Sequence, residues 1–124
     1  MKKAIAITTL GEVTIIDLTE GSLEKLQKAV GGYVQGINLS EGVTMWCNEN
    51  GKMMRLPHNP FGQAFWETAH GHTDYIVGDI VLTGSADDEG DMLGFTIEEI
   101  DEIVKVIKTC WSSSELMQPK ITIH

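Results

Sequence analysis

Tyr75-Ile76-Val77-Gly78-Asp79-Ile80-Val81-Leu82-Thr83 is a nearly continuous apolar run rich in β-branched residues. A short run without alternation predicts a central strand buried on both faces. Gly78 in its middle predicts a bulge or a close approach by another group. Upstream, residues 4–8 and 12–17 flank Leu10-Gly11 and have the pattern of an opening hairpin. Ser22 is placed to N-cap a helix over residues 23–30, in which Leu23, Leu26, Gln27 and Val30 share one face. Gly31-Gly32 ends that helix. Residues 33–39 resume extended structure, and Ser40-Glu41-Gly42 turns it. Residues 43–48 and 53–56 are expected to form a second hairpin about Asn50-Gly51, a pair suited to a turn with positive φ.

Pro57-His58-Asn59-Pro60 is a stiff connector, because each proline fixes its own φ and pushes its predecessor out of the helical region. A short aromatic helix is expected over 61–69, ended by His70-Gly71-His72. Beyond the central run lies an acidic, glycine-containing loop at 84–94. Thr96 and Glu99 then make a capping box for a long helix over 97–110. Ile97, Ile100, Ile103, Val104 and Ile107 give that helix an apolar stripe. Residues 112–119 read as a linker, and 120–124 as an added edge strand or a strand swapped onto a neighbour. Strands and helices mix without a βαβ rhythm. The expected fold is therefore α+β: one domain over 1–124, with a small, largely antiparallel sheet, two or three helices and a long C-terminal helix.

The composition excludes several function classes. The 124 residues carry a formal net charge of −9, which argues against wide contact with a DNA or RNA duplex. A local cluster can still hold a small anion, and an acidic surface can also serve solubility or mimic nucleic acid. The two cysteines, Cys47 and Cys110, fit no zinc or redox spacing and suit a reducing cytoplasm. The apolar start stops at Thr8-Thr9, too soon for a signal-peptide core, and no stretch is long enough to span a membrane. The expected location is the cytoplasm.

No catalytic signature stands out, and neither a phosphate-cradling loop nor a dinucleotide fingerprint is present. His70-Gly71-His72 lacks a third ligand for a metal, and Asp87-Asp88-Glu89-Gly90-Asp91 lacks the spacing of a calcium loop. Cys47 has no basic neighbour to activate it. What remains is binding. Arg55 is the one arginine in the chain and stands beside stiffened backbone. A planar, always-charged fork there suits an anion; an exposed ion pair is the ordinary alternative. An aromatic ring near Arg55 and Asn59 would stack on a base, leaving the fork for phosphate and the amide for a base edge or ribose.

Four stretches carry a resemblance: Gly-Gly-Tyr-Val-Gln at 31–35, Trp-Cys-Asn-Glu-Asn-Gly-Lys at 46–52, Leu-Pro-His-Asn-Pro at 56–60 and Ile-Val-Gly-Asp-Ile-Val-Leu-Thr-Gly at 76–84. In order and spacing they resemble a family of short phage- and plasmid-encoded domains, and within it the first type of Thoeris anti-defence protein, the phage sponges. The likeness covers residues 23–99. It implies a non-enzymatic protein of the host-cell cytoplasm, without cofactor or metal. Such a protein binds cyclic ADP-ribose isomers such as glycocyclic ADP-ribose, made by bacterial TIR-domain sensors, and withholds them from the effector. Some sponges also hold cyclic oligonucleotides made by cGAS-like enzymes. They assemble as homo-oligomers built from dimers, in some cases hexamers, with pockets at subunit contacts. The implied ligand residues here are Arg55 for phosphate, Asn59 and His58 for hydrogen bonds, and Tyr33 or Phe95 for stacking. Lys105 and Lys108 would stand in for a second guanidinium. A competing expectation is an acidic interaction module that mimics nucleic acid and inhibits a host protein.

Overall fold

The computed structural model describes residues 2–40, 42–85, 93–111 and 120–122. The elements in chain order are β1 (Lys3–Ile7), β2 (Glu12–Asp17), α1 (Ser22–Val30), β3 (Val34–Ser40), β4 (Val43–Asn48), α2 (Pro60–His70), β5 (Ile80–Thr83), α3 (Ile97–Trp111) and β6 (Lys120–Thr122). The strands form one sheet in the order β3-β4-β5-β1-β2-β6. Every pairing is antiparallel except that of β6 on β2. The fold is α+β with a largely antiparallel sheet and three helices, as the sequence predicts.

β5 sits at the centre, with Leu82 opposite Met45 of β4 on one side and Ile5 of β1 on the other. The two-residue period of a strand sends its side chains to both faces. Ile80 and Leu82 enter a core with Ile5, Ile7 and Met45, covered by Phe61 of α2 and by Ile100, Val104 and Ile107 of α3. Val81 enters a smaller core on the opposite face, with Ala4 and with Leu26 and Val30 of α1. A strand covered on both faces needs no polar alternation, which is why residues 80–83 are apolar apart from Thr83. That threonine is itself fully buried, and its hydroxyl accepts from the Trp46 indole at 2.8 Å.

Four local expectations are corrected. The central strand is shorter than the run from 75 to 83, because Gly78 at φ 78° breaks it and Val77 makes only an isolated bridge to His58. The close approach expected at Gly78 is there: a Cβ on it would lie 2.9 Å from Leu56 Cδ1. No hairpin forms about Asn50-Gly51, since β4 already has β3 and β5 as neighbours and residues 49–55 are turn. The N-cap position of α1 is Gly21, without a side-chain cap, and Ser22 is the first helical residue. Ile97 is exposed, so the core stripe of α3 begins at Ile100. The Thr96–Glu99 capping box forms in both directions, at 3.0 and 3.1 Å. The acidic residues 86–92, the linker 112–119 and the Cys110 side chain lie outside the described residues.

Candidate functional site

The turn after β4 is built by one asparagine. The Asn48 carboxamide oxygen accepts from the Asn50 N–H at 2.8 Å, and its amide donates to the Val30 carbonyl at the end of α1 at 3.2 Å. A side chain bonded to the backbone two residues on starts a helical turn rather than a hairpin. Met54 N–H then bonds the Asn50 carbonyl at 2.9 Å. The turn is closed by Arg55 N–H on Lys52 O at 3.1 Å and Leu56 N–H on Gly51 O at 3.0 Å. That bond pair is a Schellman closure, whose C′ residue must adopt the left-handed region. The residue there is Arg55, at φ 55°, the one non-glycine with positive φ among the described residues. Its side chain is exposed, and no ion pair to it is found among the described residues.

Beside this turn lies a groove of about 510 Å³ between β3, β4 and α2. Gln35 and Cys47 lie along it, Trp66 of α2 stands on one side, and Lys52, Asp74 and Tyr75 line it. Lys52 Nζ pairs with the Asp74 carboxylate and rests 4.5 Å from the centre of the Tyr75 ring. The Lys52 hydrogen bond, followed by that from the Tyr75 backbone, holds the Asp74 carboxyl below its ordinary value. Burial pushes the Cys47 thiol up, so it is a protonated, unreactive wall. The Trp66 indole N–H is buried and has no acceptor among the described residues.

The connector that follows the turn is pinned by Asn59, which is fully buried. Its oxygen accepts from Phe61 N and Gly62 N at 3.1 and 3.0 Å, capping α2. Its amide donates to the carbonyls of Ile7 and Gly78 at 3.2 and 2.9 Å. Asn59 thus joins β1, α2 and the start of the central run, and its amide is not presented to a ligand.

The other expected ligand residues are scattered. His58 is exposed, with a ring nitrogen 3.4 Å from Gln63 Oε1. Tyr33 is 68% exposed, and its carbonyl accepts from Glu49 N beside the groove. Phe95 is buried in the main core, so its ring cannot stack on a base without unpacking the sheet. Lys105 and Lys108 are exposed on α3 and do not line the groove that Lys52 lines. Among the described residues no group of three metal-ligating side chains occurs, and no helix is long and apolar enough to cross a membrane. Sequence reasoning passed over Lys52, Asp74 and Tyr75. Lys52 stands in the expected hairpin turn, Tyr75 opens the run that reads as strand and Asp74 lies just before it, so nothing in the sequence signals their contact.

Residues 1–108 match a family described as a domain of unknown function, DUF3846. The chain belongs to that family. No curated protein and no solved structure matches it. The matched span of this DUF3846 domain takes in the turn, the groove and all but the last residues of α3.

Proposed function

We propose that this DUF3846 domain binds and sequesters cyclic nucleotide signals, with cyclic ADP-ribose isomers such as glycocyclic ADP-ribose as the first ligand class. It withholds them from bacterial anti-phage defence without breaking them. The observation that carries the reading is Arg55. A guanidinium that is exposed and has no ion pair among the described residues sits on left-handed backbone, where glycine would fit without strain. Arg55 does not itself line the nearby groove, whereas Lys52 and Met53, just before it in the chain, do. Glu49 and Asp74 leave that groove net negative, so the phosphates are set on Arg55 and only the base in the groove, which is large enough for it. The exposed Tyr75 ring offers a stacking face there. With a net charge of −9 the chain repels a diphosphate at long range. Capture therefore rests on short-range contacts, in which a bidentate guanidinium–phosphate pair is the strongest available. The likeness of residues 23–99 to the phage sponges supports the same reading and adds an assembly built from dimers.

Incubation with glycocyclic ADP-ribose, removal of free ligand and heating of the protein tests the proposal. A sponge returns the ligand intact; a cleaved product would make the protein an enzyme, and no retained ligand would remove the reading.

A further inference from the structure

The sheet ends differently on its two sides. On one side the last strand is β6, only three residues long, and short edge strands give little template for further pairing. On the other side the last strand is β3, seven residues of sequence Val-Gln-Gly-Ile-Asn-Leu-Ser. It carries no charge and no proline, the usual guards of an exposed edge.

Its C-terminal half is blunted all the same. The register against β4 shifts between Asn38 and Ser40, and a His70 ring nitrogen lies 2.8 Å from the Asn38 carbonyl. The N-terminal half has neither device. Tyr33 O accepts from Glu49 N, so the alternation of an antiparallel ladder turns the N–H and C=O of Val34 and Gly36 away from β4. Gln35 and Gly36 are exposed. On the α1 face the Trp46 ring fills the space over Gly36, where a Cβ would come within 2.9 Å of it. Among the described residues no strand pairs with this half of the edge.

The groove beside this edge has a charge preference. Glu49, Lys52 and Asp74 line it, and Lys52 is already paired with Asp74, which leaves a negative excess. Gln35 and Ile37 face the groove from β3. A strand added to β3 would place every second side chain on that same face, at the groove.

We propose that the open half of the β3 edge, residues 34–37, takes a basic, extended segment of another polypeptide as an added strand, with its cationic side chains over the Glu49–Asp74 groove. Strand addition gives affinity through main-chain hydrogen bonds and specificity through alternate side chains. A second copy of this chain is the poorer occupant of this edge, because β3 carries no cation to set over the Glu49–Asp74 groove.

The probe is a capped peptide, acetyl-Thr-Lys-Val-Lys-Val-Lys-Thr-amide, with a counterpart carrying Glu for Lys. Amide hydrogen exchange of the full chain is followed residue by residue. The Lys peptide should slow exchange at Val34 and Gly36 and bind at least tenfold more tightly than the Glu peptide. A Lys peptide N-methylated at alternate residues should lose that protection, which tests the backbone contact without altering the protein. The double variant Glu49→Gln, Asp74→Asn should remove the preference for Lys over Glu. Three results would overturn the proposal: no protection at Val34 and Gly36 by either peptide, equal protection by both, or protection in the free protein that rises with its concentration. The last would give the edge to a second copy.

Discussion

Replacing Asn59 by Ala should destabilise the protein severely, through four named contacts. The helix-cap acceptor for Phe61 N and Gly62 N is lost; such a cap contributes about 1–2 kcal/mol. The donors to the Ile7 and Gly78 carbonyls are lost in a fully buried site, at about 1 kcal/mol or more for each bond. The total is about 3–5 kcal/mol, a large part of the roughly 5–15 kcal/mol that holds a domain folded. With a urea dependence of roughly 2 kcal/mol per molar, the unfolding midpoint should fall by about 2 M. Urea titration followed by circular dichroism measures it. Asn59→Asp separates the two halves: it keeps the cap acceptor but sets a carboxylate against two carbonyls, and should lose most of the same stability at neutral pH. A midpoint unchanged to within about 0.3 M in Asn59→Ala, together with loss of ligand binding, would refute the structural role and return Asn59 to the ligand site.

Arg55→Glu should weaken binding of glycocyclic ADP-ribose at least about thirtyfold by calorimetry, from a loss of roughly 2–5 kcal/mol, with an unchanged size-exclusion profile. Arg55→Gly should lose the same contact yet raise stability by up to about 1 kcal/mol, because glycine occupies the left-handed C′ position without a Cβ penalty; a destabilised glycine variant would contradict the strain. Lys52→Met should let the Asp74 carboxyl rise toward its ordinary value in an NMR titration. The sign follows from a folded value held below the unfolded one: the contribution of the pair is full above the carboxylate range and fades as pH falls through the folded value. At roughly 0.2–1 kcal/mol for an exposed pair, the loss at neutral pH should be small. Cys47 should react slowly with iodoacetamide in the native protein at pH 8 and rapidly in urea, since burial both hides the thiol and keeps it protonated; equal rates would remove it from the groove wall.

Most of the fold was legible because its signals are local or periodic. The Leu10-Gly11 turn, the glycine after α1, the capping box at Thr96 and the apolar run at 80–83 each state their structure within a few residues. The turn at 48–56 departs from the expected hairpin for a physical reason. Asn50-Gly51 favours a hairpin only where the following residues can return along β4, and here β5, from about thirty residues further on, takes that edge. Arg55 was singled out by being unique, while its left-handed backbone follows from hydrogen bonds three and five residues back. Asn59 is expected to bond a ligand, and its side chain instead bonds the backbone of Ile7, Phe61, Gly62 and Gly78. An asparagine directly before a helix-opening proline can cap, and what fixes its amide is Ile7 and Gly78, neither of them near it in sequence. The Lys52–Asp74–Tyr75 cluster spans two segments and leaves no mark in either.

The position of β5 also sets the timing of synthesis. β1 and β2 leave the ribosome well before β5, and the inner side of β1 has no partner until the chain reaches residues 80–82. At about 5–20 residues per second the stretch from Asp17 to Leu82 takes roughly 3–13 s, long against the microseconds in which a hairpin forms. The nascent chain thus presents the β1–β2 ribbon with one bare apolar side throughout that interval. Codon usage and chaperone supply over residues 18–80 should therefore govern the yield of folded protein more than any change downstream of β5.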